Sequence, residues 1–382
     1  MPKVTAKRVK KRQPNLSKKL KDVKQPKLKC HWAGPEEDGI SVSKLGRFLT
    51  CRERFRIEYI LGLRPEDKFQ AAIEYGQMWH TCEEYFARGE DYTLPITSYC
   101  RELSQRYPTQ GYEIEKWYNV CQIQFPIYVD YWSRQRETLT RTPLLQEEVF
   151  RVPYKLPSGR TVQLKGIFDG VDLIGKGKRA GIYLVENKTK GTINEQQLVN
   201  QLTFDIQTNF YLVALTDLAS DVGPLSKEAV RMAATPTSYK DGVPIKGIRY
   251  NVVRRPLSGG KGNIRPHKAT KNKPAETMVD YYERLRGIIE LEADTYFMRW
   301  KVEVTPEDID RYKREFLTPI LEQLCEWYDW ISSEEGMKDP FAEGQNVHLR
   351  FPYGSYSNII QGATGDLDEY LRTGSTIGLK QV

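Results

Sequence analysis

Two neighbouring stretches decide the fold: Thr161-Val-Gln-Leu-Lys-Gly166-Ile-Phe-Asp169, followed by Ile182-Tyr-Leu-Val-Glu186-Asn-Lys188-Thr189. Both have a period of two. In the first, Val162, Leu164, Gly166 and Phe168 fall on one face of an extended chain, with Ile167 and Asp169 on the other. In the second, Ile182, Leu184, Glu186 and Lys188 share a face opposite Tyr183, Val185 and Asn187. Two acids and a lysine therefore sit at the ends of two largely apolar strands. The glycine-rich, basic segment 175–181 turns one strand into the other, so Asp169 can approach Glu186 and Lys188.

Outward from this pair the pattern extends in both directions. Residues 148–154 alternate as a strand, and Pro157-Ser-Gly159 turns it into the 161–174 strand, which makes a β-meander. Downstream, the spacing predicts a helix over 195–218 and strands near 228–234 and 246–253. A helix over 275–297, a strand near 299–304 and a helix over 306–332 follow. Upstream, Ser41-Val-Ser43 caps an amphipathic run, 68–88 reads as a helix, and 96–138 is rich in Tyr and Trp at helical spacing. The expectation is an α/β protein: a central mixed β-sheet flanked by helices, with a helical N-terminal section. Residues 30–382 read as one domain, with a helical part at 40–140, a core at 145–255 and a C-terminal helical part at 275–382.

Of the chain's 58 Lys and Arg residues, 12 lie in residues 1–29 beside a single acid, Asp22. The remainder carries 46 basic and 49 acidic residues, so the net charge of +8 belongs to the tail. With Pro2, Pro14 and Pro26 and few large apolar residues, that tail cannot bury enough surface to offset ordering entropy, and it reads as disordered. It is either a phosphate-attracting arm or a solvated or targeting tail. No apolar run is long enough to span a membrane, and the N-terminus has no apolar signal core, which leads to a cytoplasmic expectation. The six cysteines form no CxxC pair and no zinc-finger spacing, and read mostly as reduced core residues.

Asp169, Glu186 and Lys188 have a specific chemical use when gathered. Hard divalent cations such as Mg²⁺ or Mn²⁺ take carboxylates and complete their shell with water and substrate phosphate. An ammonium beside them stabilises the negative charge that develops during phosphodiester hydrolysis. The main-chain carbonyl of Asn187 is a possible third ligand. On its own, a Glu-x-Lys triplet reads equally as a strand-end ion pair, and Asp169 as a turn cap. Glu148 is either close to the site or a salt-bridged strand residue, while Asp172 and Asp205 read as solvated acids. Residues 254–273 carry Arg254, Arg255, Lys261 and Arg265 with no acid, and form either a path for a nucleic-acid strand or an exposed basic loop.

The ordered set of motifs resembles a known family. Gly166-Ile-Phe-Asp169, Glu186-Asn-Lys188 and Gln207-Thr-Asn-Phe-Tyr211 are similar to the GxxD, (D/E)xK and QxxxY motifs of RecB-like nucleases in the PD-(D/E)XK superfamily. Ser41 to Phe55, with Cys51-Arg-Glu-Arg-Phe55, resembles that family's opening helix motif, and Gly76-Gln-Met-Trp-His80 its GxxxH motif. The resemblance implies a restriction-endonuclease-like core. It implies Asp169 and Glu186 as catalytic metal ligands, with His80 added from the N-terminal helix, and Lys188 as the group that positions water. Gln207 and Tyr211, one helical turn apart, would position Lys188, the water or the DNA backbone. Some relatives carry an iron–sulfur cluster held by one cysteine near the opening motif and three after QxxxY. Here Cys51 matches the first, but only Cys325 follows Tyr211, so no such cluster is expected.

Taken together, the resemblance implies a stand-alone Mg²⁺- or Mn²⁺-dependent DNA exonuclease of recombination, repair or phage DNA metabolism. It would act in a bacterial or phage-infected cytoplasm, with a single-strand-binding, annealing or helicase protein as partner. A sequence- or structure-specific endonuclease, an RNA-directed nuclease and an inactive DNA-binding module stay open. Removing residues 1–29 is expected to weaken DNA affinity and flatten the plot of log affinity against log salt, measured by fluorescence anisotropy; an unchanged slope would exclude the tail from binding.

Overall fold

The computed structural model describes residues 30–65, 68–135, 137–176, 179–194, 205–218, 243–258, 264–271, 273–338 and 379–381. The meander read from the alternation is present: β1 (Arg141–Lys155), β2 (Thr161–Ile174) and β3 (Gly181–Lys190) pair antiparallel in succession. Their first turn closes through the Leu156 N–H donating to the Arg160 carbonyl at 2.8 Å, with Gly159 at φ +88°. β4 (Ile245–Arg254) lies parallel to β3, and β5 (Phe297–Glu303) antiparallel to β4. The sheet is therefore mixed, with its strands in sequence order. Residues 181–187 of β3 are all buried, as expected for a strand with an antiparallel neighbour on one edge and a parallel one on the other.

Helices cover the sheet. Among them, α1 (Val42–Thr50) begins where Ser41 accepts a bond from the Lys44 N–H at 3.4 Å. Next come α2 (Ala71–Ala87), α3 (Thr93–Arg106) and α4 (Gly111–Ser133). The helical spacing over 96–138 thus belongs to two helices. They divide at Pro108, which lacks the N–H needed to continue α3 and starts a single 3₁₀ turn instead. The core between them is aromatic, with Tyr75, Trp79, Trp117, Phe125 and Tyr128 buried together, and it reaches the sheet through Val253 and Phe297. This packing fixes α2 against the sheet. Helix α5 (Ile206–Leu218) contributes Phe210 to Leu215, all buried, and contacts β1 to β4.

The C-terminal pattern is also helical, with α6 (Met278–Leu291), α7 (Pro306–Tyr312) and α8 (Thr318–Ile331). A Thr305/Asp308 capping box starts α7, and a π turn at Lys313–Leu317 joins it to α8. The expected strand at 228–234, the start of the 195–218 helix and the basic tail lie outside the described residues. The chain divides into two compact units. One comprises residues 32–50 and 67–330 and contains the whole five-stranded sheet. In the other, which among the described residues comprises 30–31, 51–65, 331–338 and 379–381, the short strands Leu63–Pro65 and Leu379–Gln381 pair antiparallel.

Gly166 shows how packing and motif coincide. A Cβ there would lie 2.7 Å from the Phe150 ring and 2.9 Å from the Tyr211 ring. The absent side chain lets Tyr211 pack edge-on against Phe150 and Phe168, at centroid distances of 5.2 and 5.7 Å. Gly166→Ala is expected to lower stability by about 1–3 kcal/mol, because the rings must move from a filled core. Urea unfolding measures this, and an unmoved midpoint would show that the rings yield without cost.

Candidate active site

The β2–β3 ladder ends at the Gly170/Val185 pair, and beyond it the two strands present their acids. Phe168 and Asp169 point to opposite sides of β2: Phe168 stacks on Phe150 and meets Tyr211 of α5, whereas Asp169 turns toward His80 of α2. Asp169 Oδ2 accepts the Asn187 main-chain N–H at 2.8 Å, and its Oδ1 lies 3.6 Å from His80 Nδ1. This bond holds Asp169 across the mouth between the strands.

Glu186 is 1% exposed. Its Oε1 accepts from Lys188 Nζ and, at 2.7 Å, from Gln207 Nε2. Lys188 also donates to Gln207 Oε1 at 3.1 Å, so the acid, the ammonium and the amide form a closed triangle. The other carboxylate oxygen, Glu186 Oε2, is buried and has no hydrogen-bond partner among the described residues. An anionic oxygen in that state is costly unless a cation reaches it.

Sequence reasoning missed a third acid. Glu147 Oε1 lies 3.0 Å from His80 Nδ1, and His80, Glu147 and Asp169 each offer a ligand atom within 4.8 Å of the others. Glu148, the residue considered instead, is exposed. Two features of β1 explain the difference: its register slips between Pro143 and Leu145, and Glu147 adopts a left-handed φ of 46°. Simple alternation cannot anticipate such a bend. The only sequence signal was a pair of adjacent acids in the strand before the GxxD stretch.

A family model for the PD-(D/E)XK nuclease superfamily matches residues 39–322. The chain belongs to that superfamily. No curated protein matches it. Its mixed five-stranded sheet flanked by helices is the restriction-endonuclease-like α/β fold of PD-(D/E)XK nucleases.

Other residues singled out in this PD-(D/E)XK nuclease fall in varied places. Tyr211 is buried, with its ring edge-on to Phe150 and Phe168. Arg254 lies over the Tyr296 ring at 5.1 Å, and Arg255 donates to the Thr189 carbonyl at 2.8 Å. These two guanidinium groups tie the strand end to its neighbours. Arg265 is exposed, and Lys261 lies outside the described residues. The solvated reading of Asp172 fails: it is fully buried, paired with Arg141 at 2.5 Å and with buried Arg249 at 3.7 Å. Asp205 is likewise not a free surface acid, because its Oδ2 is buried without a partner among the described residues.

PD-(D/E)XK nucleases use divalent metal ions, and the donors here fit one. The orphaned Glu186 oxygen, the Asp169 and Glu147 carboxylates and the His80 imidazole are mostly hard donors of net negative charge. Burial, and then the charge of Asp169, raise the Glu186 carboxyl to about 8, with Lys188 opposing. Burial works against a charged His80, but Asp169 and the Glu147 hydrogen bond overcome it and raise His80 to about 9. Both shifts favour the protonated forms, so a cation competes with protons for these groups. Affinity for Mg²⁺ or Mn²⁺ is therefore expected to rise with pH up to about 8–9, with proton release on binding. Calorimetry in buffers of different ionisation enthalpy reads both effects; pH-independent binding without proton release would refute the assignment.

Proposed function

We propose that the chain is a metal-dependent deoxyribonuclease of the RecB-like type that hydrolyses DNA phosphodiester bonds from strand ends. The observation that carries this reading is the Glu186 carboxylate, with one oxygen held by Lys188 and Gln207, the other buried and unpartnered among the described residues, and the charge of Asp169 acting on the group. His80, Asp169, Glu186 and the Asn187 main-chain carbonyl would hold the ion, with Glu147 joining from β1. A bound divalent cation supplies charge neutralisation at the scissile phosphate and makes water more acidic. One imidazole among carboxylates tilts the set from Mg²⁺ toward Mn²⁺.

The chain's own groups account for the rest. Burial disfavours a charged Lys188, yet Glu186 more than compensates and raises its pKa. Lys188 is thus an ammonium that donates to the attacking water or to a phosphate oxygen, and in that state it cannot take the water's proton. Gln207 keeps Lys188 and Glu186 in register, and Tyr211 braces the Gln207 side of the site. The action at ends, and a place in recombination, repair or phage DNA metabolism beside a single-strand-binding, annealing or helicase protein, rest on the motif order across residues 41–211.

Lys188→Ala is expected to reduce cleavage of linear DNA by about a hundredfold or more while leaving DNA binding in place, and EDTA should abolish cutting. Gel assays on linear, single-stranded and closed circular DNA measure this. Undiminished cutting by the variant would overturn the mechanism, and nicking of closed circles would replace the exonuclease reading with an endonuclease.

A further inference from the structure

β1 and β2 continue past the end of the β2–β3 ladder as a ribbon, whose free edge takes a short parallel bridge from Ile40 at Leu164. Phe150, Val152, Tyr154, Val162, Leu164 and Phe168 are buried on its inner face. The outer face has its own order. Val149 pairs with Ile167 and Arg151 with Lys165, so each pair shares a side of the ribbon. Val149 is 70% exposed and Ile167 47%, although both are aliphatic and directly opposite each other. Arg151 is exposed and donates to the main-chain carbonyl of Glu37, an uncharged acceptor that leaves its positive charge uncompensated at that bond.

Outward from the candidate metal ligands, the ribbon therefore presents acids at Glu147 and Asp169, then an apolar pair, then a basic pair. Each step is two residues, about 7 Å along a strand, which is the length scale of one nucleotide in an extended polynucleotide. An apolar step between a metal-binding end and a cationic step matches the alternation of base and phosphate. We infer that the outer face of this ribbon is the subsite for the substrate strand. The base or sugar next to the scissile phosphate lies over Val149 and Ile167, and the following phosphate meets Lys165 and Arg151. The inference rests on the nuclease reading for where the scissile phosphate sits. The occupant is a single strand, because in a duplex the base faces are stacked away from an aliphatic surface.

Two variants on exposed or half-exposed positions test it: Val149→Thr with Ile167→Thr, and Lys165→Gln. Binding of single-stranded and duplex oligonucleotides is read by fluorescence anisotropy in Ca²⁺, with cleavage in Mg²⁺ run in parallel. The double variant should bind the single strand about five- to tenfold more weakly. Lys165→Gln should lower the salt slope by about 0.7, one phosphate contact on a single strand. Unchanged affinity and slope in both variants, with a cutting parent, overturn the subsite and leave the nuclease standing. Weakened single-strand binding when no protein cuts keeps the ribbon as a single-strand-binding face, and removes the nuclease reading together with the register relative to a scissile phosphate. An equal loss on duplex overturns the assignment to a single strand.

Discussion

The site depends on one buried carboxylate. Glu186 lies midway along β3, after five residues that are all buried, so the energy that drives β3 into the sheet also draws an acid out of water. Burial of that kind is tolerable only when the charge is answered. Lys188 and Gln207 answer one oxygen, and the second is buried with no partner among the described residues. Helix α5 is needed because it carries Gln207 over β3, and α2 because it carries His80 to the opposite side of β2.

Behind this pair, a second buried network holds the strand ends. Asn251 donates to the Asn187 side chain at 2.8 Å, and Arg299 donates to Asn251 at 2.7 Å while lying 3.8 Å over Trp132. Asn187 in turn supplies the N–H that holds Asp169. The middle residue of the Glu-x-Lys triplet is therefore fixed from both sides, and its neighbours inherit that rigidity. A chain of contacts runs from Trp132 of the helical section through Arg299, Asn251 and Asn187 to Asp169.

Much of this was legible in the sequence, for reasons tied to particular elements. The strands carrying Asp169, Glu186 and Lys188 show because alternation is a local property, and Gln207 and Tyr211 show because a helix repeats at fixed spacing. Glu147 was hidden because its position depends on a register slip and a left-handed residue that no spacing rule encodes. Asp172 was misread because its partners, Arg141 and Arg249, are distant in sequence and meet it only through the sheet. The break between α3 and α4 was announced by Pro108, yet aromatic residues on both sides masked it.

The bend at Glu147 bears on which residues the position can hold. Glycine adopts that backbone freely, whereas any other side chain is disfavoured there by about 1 kcal/mol. A random change that removed the acid in favour of glycine would thus relax the hairpin and make the molecule more robust while emptying one side of the His80 cluster. Glutamate at 147 is held against the chain's own conformational preference.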